Sequence, residues 1–146
     1  MSTLSRVAQR YLASLSDNPE KWRAKTKDFP REKSKFIRET TFKDFTLYWR
    51  RKPSSDFDDF SILATVPSDD GERVVGDLFY GPWNGDPSEK DFEGAIEVDP
   101  EFRRQGLATA MYAWAERISG QKFRPATSHT DAAEALWKQK HRPFGR

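Results

Sequence analysis

The chain has 146 residues, 33% charged and 36% hydrophobic, with a net charge of +2 and no cysteine. That length fits one domain able to bury about two-thirds of its unfolded surface. The lack of cysteine excludes disulfides, thiolate zinc sites and a cysteine nucleophile, and no metal-ligand spacing stands out.

No apolar run approaches a membrane span, and Met1 to Leu15 lacks the apolar centre of a signal peptide, so a cytoplasmic protein without a membrane partner is expected. The charge is unevenly spread: +7 over residues 1–56, −11 over 57–102 and +6 over 103–146. A basic final third suits a nucleotide-containing cofactor and an acidic middle suits a cationic amine, the alternative being solvated faces that cancel in three dimensions. The basic ends carry no recognised nucleic-acid motif, so nucleic acid is not the expected partner.

Residues Ser5 to Leu15 read as a helix, with Leu4, Val7, Ala8, Tyr11, Leu12 and Leu15 on one stripe. Asn18-Pro19 breaks it. Glu20 to Lys35 is charge-rich, with Trp22 and Phe29 as its large apolar residues, and Pro30 is expected to interrupt any long helix. Residues 1–35 thus form a basic, helical N-terminal extension of the single domain 1–146. From Phe42 the pattern alternates, with Phe45, Leu47 and Trp49 on one face of a strand. Phe60 to Val66 and Arg73 to Tyr80 are two more strands, joined as an antiparallel hairpin through the turn Pro67 to Glu72. Gly81 to Lys90 is too rich in breakers to be an element, and its Trp83 could wall a site or cover the core edge.

Phe92 to Val98 is the fourth strand, which Pro100 ends by removing a ladder donor. The period then turns helical: Leu107, Met111, Trp114, Ala115 and Ile118 recur at spacings of three and four, and Gly120 is a stop. The start of this helix is electrostatically odd, because Arg103 and Arg104 put positive charge where the helix dipole prefers anions. An external anion would relieve the conflict. Free first-turn N–H groups, Gly106 allowing close approach and the two flanking arginines together make a phosphate-binding constellation. Gln121 to Ala126 would be a fifth strand, shortened by Pro125, and Thr130 to Trp137 starts another helix with Thr130 as its N-cap.

The string Arg103-x-x-Gly106-x-Ala108, preceded by Val98-x-Pro100, resembles the (Gln/Arg)-x-x-Gly-x-(Gly/Ala) signature of the GNAT N-acetyltransferases. The resemblance implies an α+β fold with a mixed, mostly antiparallel sheet flanked by helices, and acetyl-CoA as co-substrate. It further implies that the amides of Arg104, Gln105, Gly106, Leu107, Ala108 and Thr109 hold the pyrophosphate beside Arg103. Val98 would pair with the pantetheine arm through its main chain. Val74-Val75-Gly76 resembles a common family strand, and Thr130 to Trp137 resembles the late Asn-x-x-Ala-x-x-Leu-Tyr segment.

That last match has a departure. The family's tyrosine often protonates the leaving thiolate, whereas the indole of Trp137 cannot give up its proton near neutral pH. Ser128 and His129 are the nearest replacements, with His129 able to transfer a proton. For the base that deprotonates the amine, Glu97 leads, with Glu93 and then Asp91 behind it. The chain also ends where the family usually adds two more strands, so a second copy or another protein is expected at the exposed edge. Two functions follow: N-acetyl transfer to an amine of a small molecule or protein, or a GNAT-fold binding or structural module without catalysis.

Overall fold

The computed structural model describes residues 18–53, 58–125 and 135–145. The expected Ser5–Leu15 helix, Ser128, His129 and the start of the Thr130 helix lie outside them. Helix α1, Pro19–Glu32, comes first. The Asn18 side chain accepts the Glu20 N–H at 2.9 Å, and Pro19 occupies the first helical position, where an amide would have no helical partner. Pro30 does not end this helix as the sequence suggests. It forfeits one bond in the final turn, and the helix stops two residues later. Trp22 and Phe29 anchor α1, both buried among Tyr48, Leu63 and Val74, and contribute about 1.5–3 kcal/mol each.

Five strands follow: β1 Arg38–Phe42, β2 Phe45–Pro53, β3 Asp58–Ser68, β4 Gly71–Pro82 and β5 Phe92–Val98. They lie side by side in chain order, each antiparallel to the next, with Phe60 opposite Tyr80 in the central hairpin. Strand β1 is missing from the sequence reading because Arg-Glu-Thr-Thr-Phe has no apolar alternation. It forms an outer edge with mostly exposed side chains. The expected fifth strand over Gln121 to Ala126 shrinks, among the described residues, to a single parallel bridge between Phe123 and Phe92.

Helix α2, Leu107–Ser119, covers the other face of the sheet. Its buried Leu107, Met111, Trp114 and Ala115 join Leu47, Ile62, Leu78 and Ile96 in the main core. Gly76 lets it sit down: a Cβ there would lie 3.1 Å from Ala64, 3.3 Å from Leu107 and 3.3 Å from the Met111 sulfur. With α1 on one face and α2 on the other, both faces of β4 and β5 are buried. The fold is therefore the expected α+β sheet flanked by helices.

Beside α1, Glu72 accepts hydrogen bonds from Lys33 at 2.7 Å, from Thr65 at 2.9 Å and from the Tyr48 hydroxyl. Burial opposes the charge on Glu72, but these three donors outweigh it and hold the carboxyl below its ordinary range.

Candidate active site

The last strand and the segment after α2 meet at one point and then part. Phe92 donates its N–H to the Lys122 carbonyl at 2.9 Å and accepts the Arg124 N–H at 2.8 Å. Trp83 strengthens the junction: its indole donates to the Pro125 carbonyl at 3.2 Å, and the Arg124 guanidinium lies 3.9 Å from its ring centroid. Trp83 thus pins the edge. Past Phe92 the two segments form no further bridge among the described residues. Main-chain groups alternate sides along a strand, so Gly94, Ile96 and Val98 point the same way as Phe92, away from β4.

A cavity of about 370 Å³ opens beside this edge. Ile96, Glu97 and Val98 form its strand side, the loop and first turn of α2 from Phe102 to Thr109 form its end, and Leu136 and Gln139 form its far wall. The loop is held from both sides. Asp99 donates its N–H to Val75, the residue left over where the β3–β4 register shifts, and its carboxylate accepts from Arg73 at 2.9 Å and from the Glu101 amide at 3.1 Å. Arg103 folds back so that its Nε donates to the Val98 carbonyl at 2.9 Å.

Arg104 and Gly106 both adopt left-handed backbone, with φ of 64° and 82°. The first helical bond of α2 is Ala110 N–H to Gly106 at 3.0 Å. The amides of Arg104 through Thr109 therefore have no acceptor among the described residues. All of these residues except Gln105 border the cavity. Unsatisfied N–H groups at a helix start, with two arginines beside them, fit a diphosphate.

The expected site residues fall into three groups. Val98, Arg103, Arg104, Gly106, Leu107, Ala108, Thr109 and Glu97 come together around the cavity. Gln105 turns its carbonyl outward to accept from Lys43 Nζ at 2.9 Å. Glu93 is fully buried away from the cavity lining and accepts the Asn84 amide, closing the loop between β4 and β5. His129 lies outside the described residues. Glu97 is itself buried, and the strand register sets it opposite Asp77, whose charge Lys25 of α1 meets at 2.6 Å.

Trp137 does no acid chemistry here. Its ring packs edge-on against Phe144 at 5.2 Å and Tyr112 at 5.9 Å, with the Arg142 guanidinium 4.7 Å away. Burial pushes the Tyr112 phenol well above its ordinary value, so Tyr112 stays protonated. The sequence reading missed Lys43 and Phe42. Phe42 ends β1 and Lys43 starts the turn to β2, and the Phe42 ring backs Gly106, where a Cβ would lie 3.5 Å from it. No local signal connects a turn to a loop some sixty residues later.

An antiparallel α+β sheet thus opens at its last strand beside a helix start whose amides have no acceptor among the described residues. The chain belongs to the acetyltransferase (GNAT) family, whose family model matches residues 22–140. No curated protein and no solved structure matches it. Membership makes acyl transfer the general function and an acyl-CoA the general co-substrate. No helix among the described residues is long and apolar enough to cross a membrane.

Proposed function

We propose that this protein transfers an acetyl group from acetyl-CoA to an amine. The observation that carries the reading is the row of amides from Arg104 to Thr109 without an acceptor among the described residues, all but that of Gln105 belonging to residues that border the cavity. Those amides hold the diphosphate, and Arg103 and Arg104 balance its charge. The bound co-substrate supplies an activated thioester. The outward N–H groups of Ile96 and Val98 orient the arm and donate to the oxygen on which charge develops.

Glu97 takes the proton from the attacking amine, directly or through one water. It rises from the face that carries α1, so the amine arrives from that side of the sheet, near Asp77 and Lys25. Glu93 acts structurally by holding the Asn84 amide. His129 is the remaining candidate to protonate the leaving thiolate, since Trp137 is occupied in the core.

Calorimetry with acetyl-CoA tests binding, and thiol release with an amine panel tests transfer. Glu97→Gln should leave binding unchanged and slow transfer by about 10²-fold or more. Binding without thiol release for any amine would support the second reading, a binding module of the same fold, which the packed Trp137 favours. Absence of binding by any acyl-CoA would refute the acetyl-transfer reading.

A further inference from the structure

On the face of β5 covered by α2, the residues run Val98, Ile96, Gly94, Phe92. Val98 and Ile96 line the cavity, and Gly94 does not. The space above Gly94 is already filled: a Cβ built there would lie 2.8 Å from Leu78 Cδ1 and 3.3 Å from Phe123 Cε1. Leu78 and the Phe123 ring together therefore fill the space where the next side chain of the strand would be, with Phe123 the one contributed from beyond the sheet. It is fully buried and edge-on to Tyr112 at 4.8 Å and Tyr80 at 5.1 Å. Its main chain is fixed too, since its N–H donates to the Glu116 carboxylate at 2.8 Å and its neighbours bond Phe92. A ring held this way does not swing aside.

We infer that Phe123 sets the acyl length this site takes, admitting two- and three-carbon acyl groups and stopping longer chains. The inference rests on reading the cavity as an acyl-CoA site. With the phosphates at the loop, an arm following β5 passes Val98, then Ile96, and heads for Gly94. Two residues of strand, Ile96 to Gly94, span only about 7 Å. A longer unbranched chain continuing in that direction meets the ring and cannot displace it without breaking the junction at Phe92.

The test is calorimetric titration of the full chain with CoA and with its acetyl, propionyl, butyryl and hexanoyl thioesters. Acetyl- and propionyl-CoA should bind within about threefold of CoA, and hexanoyl-CoA about 20-fold or more weaker. Phe123→Leu removes the ring tip and keeps an apolar side chain, and should narrow the acetyl-to-hexanoyl gap about tenfold, with a thermal melt confirming that it folds. Equal binding of acetyl- and hexanoyl-CoA by the unaltered chain would overturn the inference whether or not the variant folds. So would an unchanged gap in folded Phe123→Leu. Loss of every CoA species would instead overturn the site reading, and this inference with it.

Discussion

Replacing Glu116 with alanine tests how the splayed edge is held. This buried carboxylate accepts from the Phe123 amide at 2.8 Å and from the Gly145 amide at 2.7 Å through one oxygen, with Lys122 Nζ 3.5 Å from the other. It ties α2 to the segment at Phe123, which pairs with the sheet at a single bridge among the described residues, and to the segment at Gly145. Glu116→Ala leaves the buried Phe123 amide and the partly buried Gly145 amide without this acceptor, at about 1.5–2.5 kcal/mol each, or roughly 3–5 kcal/mol in all. For a domain of this size each kcal/mol moves the melting temperature by about 2–4 °C, so the variant should melt about 6–20 °C below the parent. Calorimetric melting at neutral pH measures it directly. Glu116→Gln keeps one carbonyl oxygen and should fall between the two. A melting temperature for Glu116→Ala within about 2 °C of the parent would refute the reasoning, since those amides would then have another acceptor.

Three further outcomes follow from contacts elsewhere. The carboxyl of Glu72 titrates below its ordinary value in the folded chain, so its contribution is present above the unfolded value and lost as pH falls through the folded one. Denaturant unfolding from pH 7 to pH 3 should therefore show a steeper acid loss for the parent than for Glu72→Gln. Gly76→Val pushes a branched side chain into Ala64 and Leu107 and should cost about 1–3 kcal/mol, read in a melt, while weakening CoA binding because the start of α2 moves. Lys43→Met removes one hydrogen bond to the Gln105 carbonyl and should weaken CoA about fivefold, the equivalent of about 1 kcal/mol, with little change in melting temperature.

The central part of the fold is legible because its signals are local. Phe60 to Tyr80 alternates around a glycine turn, and the break from Val98 through Pro100 to the helical period at Leu107 marks the loop without ambiguity. Other features depend on partners far away in sequence. Strand β1 has no apolar face of its own and is a strand because β2 offers it bonds, as between Thr40 and Leu47. Helix α1 looks too charged and proline-broken until Trp22 and Phe29 find the sheet. Glu93 and Glu97 look like solvated strand residues, yet both are buried, because neighbours such as the Asn84 loop over Glu93 close a face that a single strand cannot announce. At the site the loop could be read directly. The stop at Phe123 could not, because it depends on a glycine about thirty residues earlier leaving room for a ring.

Among the described residues, the one-point junction between β5 and the segment around Phe123 leaves part of the domain's cohesion to whatever occupies that edge. In hydrogen–deuterium exchange, the amides of Ala95 and Glu97, turned toward β4, should open only when the whole domain unfolds. Those of Ile96 and Val98, one residue away on the opposite edge, should exchange early in the free protein and become protected once an occupant pairs with them. Saturation would then act as a final strand, and the protein's lifetime in a cell would track the supply of that occupant.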